Sequence, residues 1–368
     1  MTQTPVKEDL IRNAWLGRVS GCLLGKPVET LSFTKGRVGV TDYLKQVEAL
    51  PLRDYIPADP ESSVNVFKDC CRGFITRAEP DDDINYTVLA LMMLEGSGLA
   101  LCTEDVARGW LKYLPGGMTF TAERAAYSLI LDKCSPAFAF GEAAGFDLAE
   151  CADNEFNDWI GAQIRADLYG WVCPGRPVLA ARLAREDASL SHRGDGVYGA
   201  VFVAAFGAAL VGASTMEEAL ERALQEIPRD SKAAQAVVFA SSLQGMADAV
   251  DIIHERYKAL NPVHTVNNLA LVVWALLTHR DDYSAAIGSV VEAGLDTDCN
   301  GATVGGLWGL QGKPVPSQWT DPWQGSVAVT LAGVAELHID ALVARTVQVT
   351  ESIAATHQDV GNTPRDMG

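Results

Sequence analysis

Apolar residues return every three to four positions along most of the chain and almost nowhere at every second position. That spacing predicts helices over residues 7–25, 84–100, 103–113, 121–132, 177–187, 197–212, 216–226, 230–258, 264–278, 281–293, 299–310 and 325–349. Most joints carry Pro, Gly or Asp, as in Pro115-Gly116-Gly117, Pro174-Gly175 and Gly312-Lys313-Pro314. The expected fold class is therefore all-α, a compact orthogonal helical bundle. Residues 30–80, with Pro51, Pro57 and Pro60 among mixed polar groups, are expected to form long loops with short helices. No Ser-, Gly- or Pro-rich linker and no fixed-period repeat divides the chain, so residues 1–349 read as a single domain and 350–368 as a frayed polar tail.

Composition narrows the classes of function. A hydrophobic fraction of 48% over 368 residues is ample for a large core. The net charge of −18, from 47 acidic against 29 basic residues, disfavours a nucleic-acid partner, whose phosphates need clustered Lys and Arg. The uncharged stretch from Gly196 to Met216 is rich in Ala and Gly and lacks aromatic or basic anchors, so it reads as a buried core helix and no membrane partner is expected. Eight cysteines show neither a C-x-x-C pair nor a spaced disulfide framework. With no basic-then-apolar leader after Met1, the expected location is cytoplasmic.

Two acidic clusters carry the candidate chemistry. Asp81-Asp82-Asp83 opens one apolar helix, and Asp296-Thr297-Asp298 opens another beside Asn300. Aspartates at a helix start can simply cap free N–H groups and complement the macrodipole. Five carboxylates brought together instead repel unless a cation is shared, and oxygen donors favour Mg²⁺, Mn²⁺ or Ca²⁺. A calcium-loop reading of the second cluster fails, because Leu307 stands where the bidentate Glu belongs when Asp296 is position 1. Gly301, Gly305 and Gly309 follow at four-residue steps and predict a bare helix stripe that another backbone can approach closely. Weaker candidates are His192 in a polar turn, which could cap or bind substrate, and Gly161 with Arg165, which could meet a phosphate or simply pack and pair.

In this order the pieces resemble the ADP-ribosylglycohydrolase family. Its opening G-D-A-L-G-x-P-V-E is echoed by Gly21 to Glu29, and its T-D-D-T by Asp81 to Ile84. Its histidine turn is echoed by Ser191-His192, and its G-D-T-D-T by Leu295 to Cys299. The resemblance implies an all-α fold with two metal ions, usually Mg²⁺, and hydrolysis at the anomeric carbon of ADP-ribose. It implies metal ligation by Asp82, Asp83, Asp296 and Asp298, with Asp81 and Cys299 at the adjoining motif positions. Catalysis would fall to Glu29, Asp82, Asp83 and Asp298, with Asp158 in reserve for acid–base work. Substrate would meet Gly161, Arg165, Ser191 and His192.

The departures are specific. Asp81 and Ile84 replace both threonines of the first motif, Cys299 replaces the closing threonine of the second, and Cys22 stands for the Asp of the opening one. Ile160 to Arg165 only loosely echoes the family's G-N-G-x-x-M-R phosphate segment. The leading expectation is removal of ADP-ribose from a modified side chain or small conjugate. A small-molecule N-riboside hydrolase, or a non-catalytic member with a structural role, are the alternatives.

Overall fold

The computed structural model describes residues 8–361, and side chains as far as residue 356. Within these residues it contains seventeen α-helices and one small sheet, in which Ser326–Ala328 pairs antiparallel with Glu336–His338. Buried apolar side chains from Ile11 to Ile353 form one continuous cluster. The fold is all-α, as the periodicity requires. No helix among the described residues is long and apolar enough to cross a membrane. The uncharged stretch forms the helix Gly194–Leu210, buried along nearly its whole length.

Four expectations are corrected. Residues 30–46 are not loop but belong to a helix, Glu29–Gln46, bent at Gly36, whose φ of 65° breaks the regular backbone. The span 230–258 is two helices, Lys232–Ser242 and Ala249–Tyr257, parted at Gly245 with φ 73°. The span 325–349 holds the hairpin before its helix begins at Ile339, and glycines 325 and 333, both at positive φ, turn the chain there. The polar tail continues that last helix to Gly361, and residues 362–368 lie outside the described part, as do residues 1–7.

The site is positioned by one helix pair. Helix Glu8–Gly25 lies along helix Thr297–Gly309 with glycines facing on both sides. A Cβ placed at Gly17, Gly21, Gly301 or Gly305 would overlap the opposing backbone carbonyl, and one at Gly25 would overlap Thr297. The predicted stripe at Gly301 and Gly305 thus finds a matching stripe on the first helix. Only residues without side chains permit backbones this close. At the end of the seam the Thr297 hydroxyl donates to the Gly25 carbonyl at 2.8 Å. That contact fixes Glu29, four residues on, relative to Asp296 and Asp298.

Candidate metal centre and chamber

Both acidic clusters sit at helix starts, and the two starts meet. In helix Asp82–Ser97 the N-cap is Asp81, whose Oδ1 accepts the Asp83 N–H at 3.0 Å. Capping thus accounts for one oxygen of the first cluster. In the second, Asp296 holds the N-cap position without making a side-chain cap. Its turn is set instead by Gly294 at φ 77° and Leu295 at φ 61°, and by Asn268, whose Oδ1 accepts from Asp296 N at 3.2 Å and from Asn300 Nδ2 at 2.7 Å. The Asp296 carboxylate is thereby left free to point elsewhere.

The side chains converge in three overlapping groups: Cys22 with Asp81 and Asp83, Asp83 with Asp298 and Cys299, and Glu29 with Asp296 and Asp298. In each, donor atoms lie within 4.8 Å of one another. Asp83 Oδ2, Asp296 Oδ1 and Asp298 Oδ1 are buried without a hydrogen-bond partner. Unpartnered buried carboxylate oxygens are costly, and a hard divalent cation is the ligand that satisfies several at once. The donor set therefore fits such an ion. Burial, then the charge of neighbouring carboxylates, pushes Asp82 and Asp296 well above the usual carboxylate range. Burial, then the charge of Asp298, pushes Glu29 up to about 8. Cys299 is likewise raised by burial and nearby carboxylates, so it stands as a neutral thiol, a poor partner for a hard ion.

Two cations of the chain itself enter this cluster. Lys26 Nζ lies 2.7 Å from Asp81 Oδ2, 2.9 Å from Glu29 Oε2 and 3.0 Å from Asp298 Oδ2. Burial opposes its charge, but those carboxylates outweigh burial and raise its pKa. Arg18, fully buried, bridges Asp83 Oδ1 at 3.1 Å and Asp167 Oδ2 at 2.8 Å. Neither was singled out in the sequence. The Lys26 and Glu29 spacing was the available signal, since residues three apart on a helical turn are neighbours.

The cluster forms one end of a chamber of about 680 Å³. Lys26, Glu29, Asp82, Asp296 and Cys299 lie at that end, and Phe33, Phe67, Phe120 and Trp159 line the walls. Gly161 lines it too, and a Cβ there would overlap the carboxylate of Glu123, so its bareness serves a protein contact.

The remaining expected residues lie elsewhere. Arg165, Ser191 and His192 do not line the chamber but sit behind Glu123. Arg165 donates to Asp187 Oδ1 at 2.5 Å, Glu123 Oε1 at 2.6 Å and Ser191 Oγ at 2.9 Å. Ser191 Oγ in turn meets His192 Nδ1 at 2.8 Å. Burial and then the Arg165 charge hold His192 well below its ordinary pKa, so it is neutral. The geometry thus places these three behind the chamber lining, with the guanidinium paired to two buried carboxylates. Asp158 is also off the chamber, its Oδ2 3.1 Å from His264 Nε2, where it ties the loop before Gly161 to the start of helix Thr265–Thr278.

The fold is all-α, and it gathers two acidic helix starts beside one chamber. The model of the ADP-ribosylglycohydrolase family matches residues 3–352, and the chain belongs to that family. Among solved structures it is similar to one described as an ADP-ribosylglycohydrolase-related protein complex, with a TM-score of 0.53 and 17% identity over 93% of this chain and 98% of that one. At that identity the likeness is one of fold. No curated protein matches.

Proposed function

We propose that this chain is a metal-dependent hydrolase that removes ADP-ribose from a modified side chain or ADP-ribosyl conjugate. The observation that carries the reading is the meeting of two remote acidic helix starts beside one chamber, with buried carboxylate oxygens left unpartnered. Asp296, Asp298 and Glu29, with Asp82 and Asp83 opposite, would hold divalent ions, Mg²⁺ first and Mn²⁺ or Ca²⁺ as substitutes. A divalent ion there would supply Lewis-acid charge to the oxygens of a sugar ring. Glu29 has Oε2 fixed by Lys26 and faces the chamber, which suits it to orient water toward the anomeric carbon. Water then adds to that carbon, the bond to the leaving group breaks, and the leaving group takes up a proton. Arg165, Ser191 and His192 hold Glu123 in place rather than meeting substrate. The eight free thiols support a reducing compartment, the cytoplasm.

A second reading has its own observation. Lys26 is the one cationic side chain bordering the described chamber, and its N–H groups are directed at carboxylates, so no guanidinium faces a pyrophosphate. The aromatic walls suit a flat, uncharged group, which favours a small-molecule N-riboside as substrate. Incubation with Mg²⁺ and ADP-ribosyl-arginine, ADP-ribosyl-serine, ADP-ribose 1″-phosphate and nucleosides separates the two. Release of ADP-ribose is the expected result, and turnover of nucleosides alone overturns it in favour of the second reading.

A further inference from the structure

The chain's own cations neutralise the acid cluster only in part. On the side of the first cluster, Arg18 bridges Asp83 Oδ1 and Lys26 lies 2.7 Å from Asp81 Oδ2, while Asp83 Oδ2 is left without a hydrogen-bond partner. On the side of the second, Asp296 Oδ1 and Asp298 Oδ1 are buried and unpartnered, in residues exposed by only 4% and 1%. An ammonium has three N–H groups. Here the three carboxylates within reach, Glu29, Asp81 and Asp298, lie at nearly equal distances around it.

A Mg²⁺ ion binds its oxygens at about 2.0–2.1 Å and demands near-octahedral geometry. An ion bonded to Asp81 Oδ2 and Asp298 Oδ2 together would compete with Nζ for the same two oxygens.

We propose that the Lys26 ammonium is a built-in cation replacing one divalent ion of a two-ion centre, so that the protein holds a single divalent ion on Glu29, Asp296 and Asp298. Those three residues already present donor atoms within 4.8 Å of one another, all carboxylates and all near the chamber end. The inference rests on the cluster being a divalent site, and not on which bond the enzyme hydrolyses. Lys26 is here a positioning residue that sets the number of ions and anchors the inner oxygens of Glu29 and Asp298.

The test is a count of ions on the full chain. Protein stripped with chelator is titrated with Mn²⁺, the bound metal is measured by calorimetry and elemental analysis, and the electron paramagnetic resonance spectrum is recorded. One ion per chain with the six-line spectrum of an isolated Mn²⁺ is expected for the unaltered protein. Lys26→Met should bind two, with the broadened spectrum of a coupled pair about 3.5–4 Å apart. Two ions in the unaltered protein, or none, overturns the proposal, as does a single ion in both proteins. Should Lys26→Met not fold, Lys26→Gln carries the same expectation, and the count in the unaltered protein decides by itself. Absence of ADP-ribose release with one ion bound would sink the functional reading and leave this one standing.

Discussion

The floor and the walls of the chamber are built by opposite means. The floor rests on backbone against backbone at Gly17, Gly21, Gly301 and Gly305, and on fully buried pairs such as Arg18 with Asp83 and Asp167. The walls are aromatic side chains, among them Phe33 and Phe120, which are 37% and 54% exposed. Rigid contact fixes the positions of charged oxygens, where an error of an ångström matters, while the surface that meets the variable part of a substrate is left to side chains that can change cheaply. The two regions should therefore respond differently to substitution.

The largest contrast is expected from Arg18→Met. It strands two buried carboxylates and should cost about 3–5 kcal/mol in a urea denaturation series. A loss under about 1 kcal/mol would mean that the floor does not depend on this pair. Gly301→Ala should follow, costing about 1–3 kcal/mol by overpacking the seam and weakening divalent binding at the same time. If only stability falls, the seam does not set the ligand geometry. Asn268→Ala removes the amide that fixes the Asp296 turn, and calorimetry should show divalent affinity lowered about 10–100-fold with smaller effect on folding.

Asp296→Asn reverses the sign. It removes a carboxyl that burial and Asp298 push well above its ordinary pKa, so the cost of protonating it on folding disappears and the metal-free protein should gain about 1 kcal/mol in thermal or denaturant unfolding, while the gain on adding Mg²⁺ shrinks. Equal stability gains from Mg²⁺ in both proteins would remove Asp296 from the ligand set. The smallest effect belongs to the wall: Phe120→Ala should alter stability by about 0.5 kcal/mol or less and show itself in KM rather than kcat. A loss of stability like that at Gly301 would erase the distinction between the regions.

Helix periods, the acidic starts and the bare stripe from Gly301 were all legible, because each is a local pattern. The charge partners were not. Lys26 meets Asp298 across 272 positions, and Arg18 meets Asp167 across 149, distances over which spacing carries no information. Arg165 shows the converse problem. Its segment reads equally as a phosphate contact or as a packed ion pair, and the partners that claim the guanidinium, Glu123 and Asp187, lie 42 and 22 positions away. The hairpin at 326–338 was hidden for another reason. Its strands are three residues each, too short for period-two alternation to register. Helix Glu29–Gln46 was obscured by its own bend at Gly36.

The glycine seam also constrains biosynthesis. Its first strip is complete once Gly25 has been made, but the helix that covers it ends only at Gly309. At about 5–20 residues per second on the ribosome, the intervening chain takes on the order of tens of seconds to emerge. Throughout that interval the opening helix has no mate for its flattest face, so a nascent chain halted before the second acidic helix lacks the carboxylates of Asp296 and Asp298, and assembly of the centre is a late event in the maturation of the molecule.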